Sequence, residues 1–307
     1  MSIERAEGRA NARVAGAAIC LLAAAASVTP AYAHGFAGKR FFPATITTED
    51  PAVADELSLP TLSHADGETE VELEYSKRVT STFGLSLEGA WTHIREDGEE
   101  VDGFQNVEAS AKWQFLTDAD HEAILAAGLS AEFGGSGAER VGAESTTVLT
   151  PTLYFGKGFG DLPESANWAR PIAVTGLIGY SMPVSSHDDV GDPIPNAIVG
   201  GISIQYSLPY LTSQIKDQGW PGWVNRLTPI VEIAFEDPVR RAAGERTTGT
   251  INPGLLWTGK SMQLGAEAIF PLNGDSGHTV GWAIQAHFFL DDLFPKTIGS
   301  PIFGRRS

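Results

Sequence analysis

Glutamate recurs at two-residue spacing in "TEVELEYSKRV" (69–79), with Glu70, Glu72 and Glu74 on one side and Val71, Leu73 and Tyr75 on the other. The same parity, carried along the chain, groups Glu88, Glu108, Glu122, Glu132, Glu232 and Glu267 with Lys112, Arg226, Gln205, Gln263, Gln285 and His287. If these side chains share an enclosed space, the chemistry they suggest is selection, because carboxylates around a conduit favour cations. Two readings of that space stand. It is a water-filled acidic pore for cations or neutral polar solutes, or it is a closed lumen in which Lys112 and Arg226 tie glutamates together.

Other chemistry is thinly represented. His187 with Ser185, Ser186, Asp188 and Asp189, and His278 with Ser276 and Asp275, have the residue types of a hydrolase. Neighbours in sequence seldom form a nucleophile–base–orienter set, and both groups read as polar loops. "HDDVGD" (187–192) has oxygen ligands for a divalent cation but lacks the spacing of a calcium loop. His34 could chelate copper only as a free N-terminus, and no second histidine lies nearby. "GKGFG" (156–160) has no helix after it to present amides to a phosphate. The expectation is therefore no enzyme, no cofactor and no metal.

The elements that must position the glutamates follow from a strict period of two. "TVGWAIQAHFFL" (279–290) puts Val280, Trp282, Ile284, Ala286, Phe288 and Leu290 on one face, with Phe289 alone out of pattern. Similar stretches occur at about 69–79, 82–94, 104–116, 121–133, 145–157, 170–182, 195–208, 226–236, 248–259 and 261–271, and with short turns periplasmic the strand at 69–79 runs downward, so an upward strand must precede it, which "DELSLPTLS" (55–63) supplies. That makes about twelve strands, and no amphipathic helix intervenes. Most are longer than the usual 5–6 residues of globular strands and match the roughly 9–11 that a tilted strand needs to cross a bilayer.

The apolar faces carry rings at both ends and aliphatic residues between. Trp91, Phe133, Tyr180, Phe235, Phe270 and Trp282 fall at one level, and Tyr75, Phe83, Trp113, Phe115, Phe155, Tyr206, Trp257 and Phe288 at the other. Two aromatic belts around an aliphatic band are expected where rings sit at both bilayer interfaces. The opposite faces are small, with Ser, Thr, Gly and Ala rather than Lys and Arg. Short connections alternate with longer polar ones such as "REDGEEVDG" and "GGSGAERVGAE", the habit of bacterial outer-membrane barrels. The expected fold is all-β: an antiparallel transmembrane barrel over 55–290.

Outside it, residues 1–33 read as a cleaved signal peptide, with Arg5, Arg9 and Arg13 before an apolar run and "AYA" at 31–33. Residues 34–54 form a periplasmic lead-in or plug, and 291–307 a periplasmic tail. Cys20, the one cysteine, falls in the signal, so the mature chain has no thiol. Removing the signal's three Arg and two Glu leaves 18 basic and 36 acidic residues, a net charge near −18. Such a balance excludes a nucleic-acid partner. The expected partners are outer-membrane lipid and lipopolysaccharide, the barrel-assembly machinery and a small solute.

"TGTINPGLLWTGKSMQLGAEAIFPLN" (248–273) and "GHTVGWAIQAHFFLDDLFP" (277–295) resemble a family of proteobacterial outer-membrane proteins known as the transporter or meta-pathway of phenol degradation family. The shared features are a strand entering through Asn252-Pro253-Gly254, a turn at Gly259 and an alternating strand closing on Pro271. The resemblance implies a monomeric barrel passing small, often hydrophobic molecules, with no catalytic residue to carry over. One departure is that barrels commonly end on a terminal aromatic, whereas this chain runs on past Phe289. Either that tail folds back beneath the barrel or the last strand lies elsewhere.

Overall fold

The computed structural model describes residues 35–96, 98–187, 191, 193–239 and 246–304. The expected signal segment, His34, Asp188 and Asp189 lie outside the described residues. A two-residue hairpin, β1 (Phe36–Ala37) with β2 (Arg40–Phe41), precedes the barrel. The barrel strands are β3 (Glu56–Ala65), β4 (Glu68–Arg78), β5 (Phe83–Glu96), β6 (Glu99–Phe104), β7 (Glu108–Asp118), β8 (Ala123–Glu132), β9 (Val148–Gly158) and β10 (Ile172–Pro183). Then come β11 (Ala197–Tyr206), β12 (Leu227–Pro238), β13 (Thr248–Thr258), β14 (Met262–Pro271) and β15 (Gly281–Phe289).

From β3 each strand pairs antiparallel with the next, except that β5 pairs with both β6 and β7, and β15 pairs back onto β3 to close the barrel. Closure leaves no exposed strand edge. β6 and β7 share one position, because β6 pairs with the outer half of β5 and β7 with its other half. The barrel is therefore twelve-stranded. This corrects one sequence expectation: "EEVDG" is not loop but extends the β5 hairpin beyond the barrel rim. One irregularity in β3, between Ser58 and Thr61, shifts the register against both neighbours, opposite Gln285–His287 of β15 and Glu72–Glu74 of β4.

Connections follow the strand chemistry. Asp66-Gly67 joins β3 to β4 with both residues at positive φ, 48° and 84°, the two-residue turn that matches strand twist. The Asp66 carboxylate also accepts from the Thr279 hydroxyl at 2.8 Å and from the Thr279 and His278 amides at 2.9 and 3.0 Å. These bonds hold its pKa below the usual carboxylate range and tie the outer ends of β3 and β15 together.

The exterior is apolar. Leu87, Leu129, Leu153, Ile178 and Ile204 are all exposed, Leu153 and Ile178 to 57 %. Water-soluble monomers rarely show an apolar patch wider than a few hundred Å². Among the described residues no helix is long and apolar enough to cross a membrane, so any crossing falls to the strands. The fourteen aromatics expected at the bilayer interfaces lie on this outward parity. Trp113, Phe115, Phe133, Phe155, Phe235, Phe270 and Trp282 are exposed, and Tyr75, Phe83, Trp91, Tyr180, Tyr206, Trp257 and Phe288 are half-buried. Phe289, out of pattern in sequence, points inward and meets Phe41 edge-on at 6.1 Å.

After β15 a short helix, Leu290–Leu293, turns the chain back. Ile302 and Phe303 donate to the carbonyls of Arg78 and Val79, so the tail lies beneath the β4–β5 turn. Asp55, with no exposed surface, anchors this end by accepting from the Arg78 amide at 2.9 Å and its Nε at 2.8 Å. Lys77 also pairs with Asp55 and donates to the Ile298 and Ser300 carbonyls at 2.9 and 2.7 Å. The last strand stands where alternation placed it, and the tail folds back.

Candidate functional site

Residues 35–54 run inside the barrel. The hairpin β1–β2 sits at the end where β7 meets β8, and Arg40, fully buried, donates to Glu122 at 3.1 Å and to the Pro171 carbonyl at 3.0 Å. Glu122 also accepts from the Gly160 amide at 2.9 Å and the Tyr210 hydroxyl at 2.7 Å. Phe42 packs with Ala37, Ile124 and Ala173 into a small buried apolar cluster.

Farther up, the segment docks on β12–β14. Glu232 accepts from the Ile46, Thr47 and Thr48 amides at 2.9, 3.1 and 3.1 Å and from the Thr48 hydroxyl. Thr47 donates to Glu267 and accepts from Asn252 Nδ2 at 2.7 Å. Gln263 donates to the Ala44 carbonyl at 2.6 Å. Glycine makes this approach possible: a Cβ on Gly201 would stand 2.7 Å from Thr48 Cγ2, and one on Gly265 2.6 Å from Ile46 Cδ1. The segment then crosses to Glu49, which accepts from the Tyr154 hydroxyl at 2.6 Å and pairs with Lys112 at 2.5 Å. Lys112 also donates to the Asp50 carbonyl at 2.8 Å. Burial pushes the Asp50 carboxyl above its usual range, with Glu56 adding to the effect and Lys112 opposing it.

The wall of β4, β5 and β7 meets the segment at Lys112 and at Gln114, whose Oε1 accepts from the Val53 amide at 3.0 Å. There Glu74 faces Glu88, Glu88 faces Glu108 and Glu108 faces Glu132, directly across four neighbouring strands. Between this wall and the segment lies a cavity of about 230 Å³ lined by Glu72, Glu74, Glu88 and Glu108, with Lys112, Gln285 and His287 at its sides. Among the described residues no Lys, Arg or His stands within ion-pair distance of those four glutamates. His287 is occupied elsewhere, 2.9 Å from the Ser58 hydroxyl and 3.4 Å from Glu56.

The structure thus divides the residues that parity grouped. Glu72, Glu74, Glu88, Glu108, Lys112 and His287 border one space. Glu232 and Glu267 are buried under the N-terminal segment. Glu132, at the outer end, accepts from Asn106 at 2.9 Å. Arg226 is not in the lumen: it ends a short helical turn before β12, is exposed, and its guanidinium lies 5.8 Å from the Trp257 ring on the outer face. Parity fails there because the strand begins one residue later, at Leu227. Glu49, Asp50 and Glu56, which join the cavity, were not expected from sequence. Their signal was the excess of Gly and Ser on the inner faces, which leaves room that something must fill.

Of the hydrolase-like groups, the one around His278 is fully described and does not assemble. Ser276 donates to Asn273 at 2.9 Å rather than to His278. His187 lies 3.0 Å from the adjacent Ser186 on an exposed loop. Among the described residues no group of three or more His, Cys, Asp or Glu is placed to hold a metal ion.

No protein-family model matches the chain, and no curated protein matches it in sequence. Among solved structures it is similar to the NanC porin, with 11 % identity and a TM-score of 0.49, covering 76 % of this chain and 98 % of that one. The KdgM porin gives 15 % identity and a TM-score of 0.47 over the same shares. The COG4313 outer membrane channel from Pseudomonas putida F1 gives 10 % and 0.47, covering 76 % and 92 %. At these identities and scores nothing about activity passes to this chain, whose architecture stands on its own strand pairing.

Proposed function

We propose that the chain is a passive outer-membrane channel for small solutes, narrowed along one wall by its own N-terminal segment. The observation that supports this is the acidic cavity remaining beside that segment, inside a closed barrel whose exterior is apolar. A barrel of intermediate strand number fills easily with side chains, yet here the inner wall of β4, β5 and β7 keeps its glutamates and serines facing open space. The exterior would face outer-membrane lipid and lipopolysaccharide, inserted by the assembly machinery after removal of the signal. The acidic wall favours polar or cationic solutes over the hydrophobic ones implied by the resemblance to the phenol-degradation transporter family.

The second reading is a plugged barrel without conductance, favoured by the four hydrogen bonds that converge on Glu232. Planar-bilayer recording of the full mature chain separates the two. Stepwise conductance is expected, with a cation preference that weakens in Glu88→Gln and Glu108→Gln. Persistent silence from barrels that migrate as folded in heat-modifiability gels overturns the channel and leaves the plugged barrel.

A further inference from the structure

We propose that the two long loops at the tail-bearing end of the barrel form a foot on the phospholipid headgroup layer, seating Trp168, Trp220 and Trp223 in it. The leaflet is the periplasmic one in the channel reading, but the surface is argued from the loops and does not depend on conductance. The strand connections 79–82, 119–122 and 259–261 at this end are short. Only 159–171 and 207–226, which flank the β10–β11 pair, are long.

Both loops are bolted together from the inside. Arg40 donates to the Pro171 carbonyl of the first at 3.0 Å, and its guanidinium stacks 3.7 Å from the Tyr210 ring of the second. The Ser207 amide also donates to Pro171, at 3.0 Å, and the Tyr210 hydroxyl lies so close to Gly160 that a Cβ there would stand 2.0 Å from it. Farther along, the Pro221 carbonyl accepts from the Val224 amide at 2.9 Å, and Asn225 Nδ2 donates to the Trp220 carbonyl at 3.3 Å. Arg40 and Tyr210 are buried, yet the largest apolar rings of these loops are not. Trp168 is 72 % exposed, Trp223 64 % and Trp220 41 %. A loop ordered in water gains by folding such rings inward, because each can bury about 150–250 Å². Here the order is spent on holding them out.

What covers them follows from where the loops leave the wall. The first enters β10 at Ile172, paired with Tyr206, and the second enters β12 at Leu227, paired with Trp257. Tyr206 and Trp257 belong to the ring level that bounds the apolar exterior at this end, and Arg226 lies over the Trp257 ring on the outer face. The three indoles therefore extend an established lipid-facing surface past its rim, where headgroups begin. Tryptophan favours that layer because its ring is apolar while its N–H still needs a partner. Lys216 and Arg226 are exposed beside them, and among the described residues neither pairs with a carboxylate. The neighbouring Asp217 is turned back onto the Gly219 amide at 2.9 Å. Aromatic rings flanked by cations are the composition of segments that lie in a membrane interface.

The test places the chain from His34 onward in phospholipid nanodiscs, one barrel per disc, and reads tryptophan emission. All seven tryptophans of the sequence emit together, so Trp168→Phe, Trp220→Phe and Trp223→Phe isolate each indole by difference from the parent. These rings are exposed, so the variants should fold as the parent does, which gel migration will report. Each difference emission should be extinguished by phospholipid carrying a nitroxide on its headgroup and should resist acrylamide dissolved in the water. Acrylamide access equal to that of free tryptophan overturns the proposal, whether or not the nitroxide quenches. Shielding seen in vesicles crowded with barrels but lost in single-barrel discs also overturns it, assigning the surface to a second copy. Both leaflets of the disc are the same, so the result does not hang on which end is periplasmic. A silent barrel with shielded indoles defeats the channel reading alone, and a conducting barrel with open indoles defeats this one alone.

Discussion

Replacing Glu232 with Ala removes the acceptor that holds Ile46, Thr47 and Thr48 to the barrel wall. Three amides and one hydroxyl converge on this carboxylate, which has no exposed surface. A hydrogen bond to a charged group contributes about 1.5–3 kcal/mol net. The four share one carboxylate and are not additive, and the freed amides can recover water if the segment leaves. We take about 4 kcal/mol for the set, which is a factor of roughly 10³ in the population of the undocked segment.

A chain expressed from His34 onward supplies a clean assay, because Cys20 is the one cysteine of the sequence. Ala44→Cys places one thiol on the docked segment, where Ala44 is buried. Its rate of labelling by a water-soluble maleimide reports the undocked fraction. Labelling should accelerate by two to three orders of magnitude (about 10²–10³) in the Glu232→Ala background, if undocking precedes reaction. Glu232→Gln, which keeps one acceptor oxygen but adds an NH₂ facing three amides, should fall between. Equal rates in Glu232→Ala and the parent, with both barrels folded by gel migration, would refute the assignment of Glu232 as the anchor.

Three further outcomes are expected. In Thr48→Cys/Gly201→Cys, a Cβ built on Gly201 lies 3.3 Å from Thr48 Cβ, close to the roughly 3.5–4.5 Å of natural disulfides. Oxidation should suppress the extra conductance produced by Glu232→Ala and reduction restore it; identical traces would show that the segment does not gate. Leu129→Arg, midway along β8 on the outer face, should cost about 2–4 kcal/mol in lipid, and a change within 0.5 kcal/mol of zero (roughly the error of a urea titration in vesicles) would mean that this face does not meet hydrocarbon. Burial pushes the Asp291 carboxyl up to about 8, Glu56 adding to this and Arg78 at 3.6 Å opposing it. A raised folded pKa favours the docked tail fully below the ordinary value of about 4 and loses that contribution as pH rises through about 8. Protection of the Ile302 and Phe303 amides, corrected for intrinsic exchange, should therefore fall between pH 5 and 8.5; constant protection would exclude Asp291 as the cause.

How much of this was legible in the sequence depends on the range of the contact. Alternation is local, and it located eleven of the twelve strand positions, because a one-residue slip would turn each apolar set inward; the first, at 55–63, followed only from the strand direction that even parity required. Leu129 and Ile204 could be read outward from their neighbours alone. The N-terminal segment offered no such pattern. "FFPATITTED" has neither period, and its partners lie far along the chain, 186 residues from Ile46 to Glu232 and 82 from Arg40 to Glu122. Nor could parity survive a turn, which is why Arg226 was expected in the lumen and stands outside it. The fully buried inward residues Ile124 and Leu256 are intelligible only once the segment that covers them is known.

The inner wall carries acidic residues of two kinds, and the contrast is informative. Glu122 and Glu232 are each met by hydrogen-bond donors from the N-terminal segment or the loops, and removing either would leave buried donors unmet. Glu74, Glu88 and Glu108 face one another across β4, β5 and β7, Glu74 also accepting from the Ser76 hydroxyl at 2.9 Å. The contacts that hold the segment to this wall pass through Lys112 and Gln114 rather than through these glutamates. Packing does not involve them either, since they border open space. The row gives the cavity its acidic wall, and that wall is what the proposed cation preference rests on.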